Sequence, residues 1–515
     1  MRYFEDIARV IAENAAALRA TGALAARPGR TLGADGYPTG RRVIVLEFAT
    51  ASRPADIPRK LGAFPVEART LPSDRPRPQE YVPSAFPGRV AFVEGTDNGG
   101  SAAAAKPTLP YTPPSGANLD PLPTTNVKMI CSVSPDNGWR VLEPFLTGTQ
   151  NALTVAMYDW TSAHIEQSVA TALTGKSFEL VLDNPTKDRT ADQSDEQTVQ
   201  LLKTALAATF EQQWALTPRD PAGGTPIFES AYHIKVAVRD TGTANSALWL
   251  SSGNWNNSNQ PVFDPNAPDL SLAKSSDRDW HIVVFNDALA TTFKAYIDHD
   301  FSVAKAQNAA AAGAAALPEA QALASAATTD AFTTFALEMT VEGETTITPL
   351  LTPDPGIYVD RITALIDAAK TSFDLQFQYI TSFTETGDEA FAGIVEALAR
   401  AQARGVAMRM IFSEFQEESI LELLAEAKLA VDHGHVRIQN NVHNKGMLVD
   451  GQITVVSSQN WSGAGVLRNR DAGLIVDNAE VNAYYLARFN YDWETLATGK
   501  PTTSKGGSTG GADGD

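Results

Sequence analysis

The chain of 515 residues predicts an α/β fold: two pseudo-symmetric α/β repeats, each a mixed sheet flanked by helices, behind a small α+β N-terminal domain. Three observations carry this reading. A landmark at Ser134-Pro135-Asp136 returns as Thr352-Pro353-Asp354. Behind each landmark the same patterns follow: an apolar strand run (153–158, 373–379), a threonine (Thr161, Thr381), a helical pattern (163–173, 388–405) and a further strand run (178–182, 406–412). A His-x-Lys-x4-Asp spacing then occurs once in each copy. Strands alternating with helices argue for a mostly parallel, helix-covered sheet in each repeat.

In chain order, residues 1–98 form the N-terminal α+β module, with an amphipathic first helix and a strand-like run at 42–48. The opening lacks an apolar core followed by a small-residue cleavage site, and no stretch of about eighteen uncharged apolar residues occurs. A soluble, cytoplasmic protein without a transmembrane segment is therefore expected. Pro38-Thr39-Gly40 before a strand, and Ile57-Pro58 with Leu61-Gly62-Ala63-Phe64-Pro65-Val66 after it, resemble a small module that precedes the catalytic body of some bacterial trypsin-like peptidases. No histidine precedes His164, so this zone cannot house a Ser-His-Asp set. A recognition, regulatory or scaffolding role is left for it.

Residues 99–127 are rich in Pro, Gly and Ala and read as an extended linker. The first repeat spans 128–306 and the second 347–498. An Ala-rich connector, either a helix or a flexible link, joins them over 307–346. A disordered tail is expected over 499–515.

Composition narrows the function. A net charge of -19 disfavours nucleic acid as a partner, although a local basic pocket stays possible. Cys131 is the single cysteine, which excludes an intrachain disulfide and a thiolate metal cluster. Hydrophobic content of 43% suits a globular protein that needs no such staple.

The chemistry-bearing residues are His233, Lys235 and Asp240 in YHIKVAVRD, and His443, Lys445 and Asp450 in VHNKGMLVD. With seven histidines in the chain, composition allows about 0.07 chance matches to this spacing. Each motif leads into a strand ending in a polar cluster, LWLSSGNWNNS with Asn254 and VVSSQNWSGAG with Asn460. An acid follows in each copy, Asp279 and Asp471. The arrangement resembles the phospholipase D superfamily, whose signature is a pair of His-x-Lys-x4-Asp motifs, each followed by a Gly/Ser-Ser-x-Asn element. The second element, Ser457-Ser458-Gln459-Asn460, departs from it by lacking the leading glycine.

These residue types suit attack on a phosphodiester. One imidazole can attack phosphorus to give a phosphohistidine, and a second can protonate the leaving alkoxide and then deprotonate water or an alcohol. Lys235, Lys445, Asn254 and Asn460 can neutralise the non-bridging oxygens, so neither metal nor cofactor is required. On a strand, i and i+2 share a face, which puts each histidine beside its lysine. Spacing alone does not rank the two imidazoles; the resemblance assigns attack to His233 and acid–base work to His443. It also implies that Asp279 and Asp471 accept from the imidazole N–H groups. Asp240 and Asp450 sit beside turn residues and read as structural. His164, His281, His299, His433 and His435 read as structural histidines. Trp255 and Trp461 either line the pocket mouth or pack between the repeats, and Arg468 and Arg470 read as solvated loop charges.

The substrate the resemblance implies is a phospholipid, hydrolysed to phosphatidic acid and an alcohol, with head-group transfer when an alcohol replaces water. A nuclease and a non-catalytic phosphate-binding protein are the alternatives.

Overall fold

A computed structural model describes residues 3–49, 57–70, 86–92, 108–116, 118–183, 192–218, 225–311 and 332–501. Residues 99–107 of the expected linker, 312–331 of the connector and the tail beyond 501 lie outside the described residues.

The N-terminal module contains α1 (Glu5–Glu13), α2 (Ala15–Ala20), β1 (Ala25–Leu32), β2 (Pro38–Phe48), β3 (Lys60–Leu61), β4 (Phe64–Thr70) and β5 (Val90–Ala91). Its strands form one sheet in the order β3-β4-β2-β1-β5. Ile7, Ile11 and Leu18 make the buried stripe of the two helices. They share an apolar core with the second repeat, including Ile362, Leu398 and Leu424. Charge also ties the module down: buried Arg27 bridges Glu47 at 2.9 Å and Glu422, and Arg30 reaches Glu426 at 2.8 Å. Buried ions are tolerated here because each finds an opposite charge.

The first repeat runs β6 (Leu122–Ser134), α3 (Gly138–Thr147), β7 (Ala152–Met157), α4 (Ala163–Ala172), β8 (Ser177–Leu182), α5 (Asp195–Leu206), β9 (Phe210–Trp214), β10 (Lys235–Arg239), β11 (Ala247–Ser251), α6 (Leu270–Ser275), β12 (Asp279–Phe285) and α7 (Asp287–Ala311). The second runs β13 (Met339–Thr352), α8 (Ile357–Ala368), β14 (Ser372–Phe377), α9 (Glu389–Ala403), β15 (Ala407–Phe412), α10 (Glu418–Glu426), β16 (Val436–Ile438), β17 (Lys445–Val449), β18 (Ile453–Ser457), α11 (Gly463–Leu467), β19 (Asp471–Asp477) and α12 (Ala479–Tyr491).

Each repeat is a mixed sheet flanked by helices, as expected, and the two are continuous. Their strands form one 14-stranded sheet, β16-β15-β14-β17-β18-β19-β13-β6-β12-β11-β10-β7-β8-β9, joined at its centre by the antiparallel pair of β6 and β13. One expectation needs correction: neither half is mostly parallel. Only β7-β8-β9 and β14-β15-β16 run parallel. The inner five strands of each half are antiparallel neighbours, because the His-x-Lys strand turns straight back into the next without a crossover helix.

Segments read as links are partly structural. β13 begins at Met339, inside the predicted connector, and β6 begins at Leu122, inside the predicted linker. Tyr111 donates its hydroxyl to Asp354 at 2.8 Å, so residues 108–116 are tied to the second repeat. One apolar core joins the repeats, combining Val236 and Leu250 with Leu448 and Val456. A separate core under α3, α4 and α5 completes the first repeat. No helix among the described residues is long and apolar enough to cross a membrane.

Candidate active site

The two histidines precede β10 and β17, and each meets the other repeat. The segment before His233 bridges to the segment before Asp471 at Tyr232 and Arg470, and the segment before His443 bridges to that before Asp279 at Val442 and Arg278. Backbone bonds fix the register: Arg470 N–H donates to Ala231 at 3.2 Å, and His443 N–H donates to Arg278 at 3.1 Å. The side chains therefore cross. His233 Nδ1 lies 2.8 Å from Asp471 Oδ1, and His443 Nδ1 lies 2.9 Å from Asp279 Oδ1. All four residues are buried.

A carboxylate on Nδ1 selects the tautomer with its proton there and turns Nε2 to reaction. The carboxylates are held in turn: Ser252 Oγ donates to Asp279 at 2.7 Å, and Ser458 Oγ donates to Asp471 at 2.6 Å. Asn259 adds a bond to Asp279 Oδ2 at 2.7 Å. Burial would raise the Asp279 carboxyl, but the charges of His443 and Lys445 outweigh it and hold that carboxyl well below the ordinary carboxylate range.

Lys235 and Lys445 are fully buried, and each ammonium donates to the carbonyl of its own histidine, two residues back. Lys235 also lies 4.9 Å from the centre of the Tyr158 ring, which in turn sits edge-on to His233 with centroids 4.9 Å apart. The corresponding position in the second repeat is Gln378, whose Oε1 lies 3.5 Å from Lys445 Nζ. Asn254 and Asn460 are buried, and their side-chain oxygens have no hydrogen-bond partner among the described residues. A buried amide in that condition suits a polar ligand.

Asp240 and Asp450 stand apart from this cluster. Both have left-handed backbone, with φ of 51° and 53°. The Asp240 carboxylate accepts from Gln150, Asn151 and Ala152 N–H at 2.6–2.9 Å, and Asp450 accepts from Lys370, Thr371 and Ser372 N–H at 2.7–2.9 Å. Each caps the turn that starts the neighbouring strand. Burial works to raise both carboxyls, and the backbone donors overcome it and lower them.

Three side chains differ from their expected places. Trp255 and Trp461 neither line a pocket mouth nor pack between the repeats. Each is fully buried inside its own repeat, Trp255 edge-on to Trp160 at 4.6 Å and Trp461 bonded to the Tyr358 hydroxyl at 3.0 Å. Arg470 is no solvated loop charge. It is fully buried, paired to Asp300 at 2.7 Å and set between the Tyr111 and Phe228 rings at 4.8 and 5.0 Å. Arg278 is its counterpart, bound to Asp136 at 2.7 Å and Asp492 at 3.0 Å. Each arginine precedes a site acid and anchors it to an element of the other repeat. Among the assigned structural histidines, His281 is buried between Ser134 Oγ at 2.8 Å and Ser251 Oγ at 2.6 Å, and burial lowers it to about 4.

The third position of the two Ser-Ser-x-Asn elements, Gly253 in one and Gln459 in the other, has a physical account. A Cβ on Gly253 would stand 2.6 Å from Asp279 Oδ2, so glycine is needed there. In the second repeat Gln459 occupies that position, and the residue two after the acid is Gly473 instead of His281. Large and small residues have exchanged places, which conserves volume.

Residues 362–493 match the family model described as the phospholipase D-like domain of cardiolipin synthase. That part of the second repeat, which carries His443, Lys445, Asn460 and Asp471, is similar to a phospholipase D-like domain. Over 96 residues the chain is 32% identical to a phospholipase D of Rickettsia conorii (strain ATCC VR-613 / Malish 7), a match covering 18% of this chain and 47% of that protein. The chain thus spans about half the length of that curated relative. Among solved structures, a phosphatidylserine synthase of Haemophilus influenzae Rd KW20 is similar at TM-score 0.47 and 11% identity, over 72% of this chain and 88% of that one. The phospholipase D family member Nuc from Salmonella typhimurium is similar at TM-score 0.25 and 20% identity, over 30% of this chain and 96% of that one.

Sequence reading missed Ser252, Ser458 and Asn259 as supports of the two acids, although both serines stand inside the quoted polar clusters. It also missed the buried Arg278. The signal was available: an arginine directly precedes the acid in both copies.

Proposed function

We propose that the chain cleaves the head-group phosphodiester of phospholipids through a phosphohistidine intermediate, with His233 as nucleophile and His443 as general acid–base. The observation that carries this reading is the pair of crossed imidazole–carboxylate contacts. His233, with its proton held on Nδ1 by Asp471, attacks phosphorus through Nε2. The P–O bond to the head group breaks, and His443 gives its Nε2 proton to the departing alkoxide. Neutral His443 then takes a proton from water, whose oxygen displaces His233 and leaves a phosphate monoester. Lys235, Lys445, Asn254 and Asn460 hold the non-bridging oxygens throughout. The products are phosphatidic acid and an alcohol.

A second reading, head-group transfer, is favoured by the description of the matching family model as a cardiolipin synthase domain. It needs only that an alcohol replace water in the second step. The net charge of -19 counts against nucleic acid.

A parallel assay on phosphatidylcholine, a dinucleoside phosphate and single-stranded DNA tests the reading, with and without added glycerol. Release of choline, abolished in His233→Asn and His443→Asn, is the expected result. Cleavage of DNA alone would overturn the lipid assignment. A phosphatidylglycerol product would assign transfer.

A further inference from the structure

The repeats share their histidines, lysines, asparagines and acids, but not the residue two places before each acid. In the first repeat that residue is Asp277 and in the second it is Asn469. The segment carrying Asp277 and Asp279 is extended and bridges to the lead-in of His443, so Asp277 shares a face with Asp279. Asn259 links the two, donating to Asp277 Oδ2 at 3.1 Å and to Asp279 Oδ2 at 2.7 Å. Burial pushes the Asp277 carboxyl up to about 6, with His443 and Lys445 pulling it back, which sets it within their electrostatic reach. It is half-buried and, among the described residues, makes no ion pair.

Asn469 is employed differently. Its oxygen is saturated by Ser230 N–H and Oγ–H and by Ala231 N–H, at 2.6–3.3 Å. The Asn259 bridge requires an acceptor and no charge, so an asparagine would serve the scaffold at 277 as well. A carboxylate beside an anionic phosphodiester is unfavourable unless a cation lies with it.

We propose that Asp277 is the head-group subsite, receiving the ammonium of a cationic alcohol on the His443 side of the phosphate. This rests on the phosphodiesterase reading above and adds the residue that selects a cationic head group, Asp277, which Asn259 ties to Asp279. Asp277 then gives a nearly two-fold site its direction, since the group that departs is the one that finds the carboxylate.

Calorimetry on the full chain with phosphoethanolamine and with inorganic phosphate tests this without turnover. Wild type should bind phosphoethanolamine about tenfold more tightly than phosphate. Asp277→Asn should bring the two within about twofold of each other, with phosphate held as well or better. Asp277→Glu, which keeps the charge, should restore the preference. Equal affinities in wild type, or a preference that survives in Asp277→Asn, would overturn the subsite. Should Asp277→Asn bind neither ligand, Asp277→Glu decides: a preference there supports the subsite and its loss overturns it. Wild-type turnover of bis(p-nitrophenyl) phosphate is scored separately. Its absence removes the phosphodiesterase reading and leaves the binding comparison standing.

Discussion

The two repeats use one set of polar residues twice and surround it differently. His233 faces the Tyr158 ring, whereas the equivalent place beside Lys445 holds Gln378. His443 has Asp277 in its field, whereas the equivalent place near His233 holds a saturated Asn469. The shared residues match what is symmetric about a phosphate in displacement, two lines of approach and two charged flanks. The unshared ones match what is asymmetric, an incoming nitrogen on one side and a departing alcohol on the other. The contrast teaches that roles in a duplicated site are read from where the copies disagree.

The sharpest way to break this comparison is to remove each imidazole in turn. His233→Asn and His443→Asn should each lower steady-state turnover on the order of 10³-fold or more. With a p-nitrophenyl ester, whose leaving group needs no proton, the two should part company. His443→Asn should release one equivalent of nitrophenol and stall with phosphorus on His233, detectable as an added mass. His233→Asn should give no burst. The reverse pattern would exchange the two roles.

The crossed contacts predict the next effect. Asp471→Asn should behave as a partial His233 defect and suppress the burst, while Asp279→Asn should keep it and slow the second step, each by roughly 10²-fold or more. Contacts within each repeat would instead pair the defects the other way round.

Smaller effects concern the frame. Arg470→Met leaves Asp300 buried and uncompensated, and should cost about 3–5 kcal/mol in urea unfolding. Arg278→Met should cost a similar amount if the two seams are equivalent. Smallest is the strand cap. Asp240→Asn removes charge-assisted bonds to three N–H groups and should cost about 1–3 kcal/mol. Because folding lowers this carboxyl, its contribution is present above the ordinary aspartate range and disappears as pH falls through the lowered value. Wild type and Asp240→Asn should therefore differ in unfolding free energy at neutral pH and converge in acid.

The duplicated order of elements was legible in sequence because apolar runs, turn residues and helix ends are local signals. Parallel or antiparallel pairing is a tertiary choice, and the short return from Arg239 to Ala247 decides it for the inner strands. The union of two sheets into one was not legible either. It depends on β6 meeting β13, two strands more than two hundred residues apart in the chain. The polar residues of the site could be named because their spacing repeats. Their crossing could not, since nothing local to His233 announces Asp471. Arg470 was misjudged because one residue in a polar loop gives no sign of the rings of Tyr111 and Phe228 that enclose it.

The crossing has a bearing on biosynthesis. A ribosome delivers His233 long before Asp471, and Asp279 long before His443. The nascent first half therefore carries an imidazole without its acid and an acid without its imidazole. Under the proposed mechanism, lipid cleavage waits until the second half has folded onto the first, and the partly made polypeptide stays harmless.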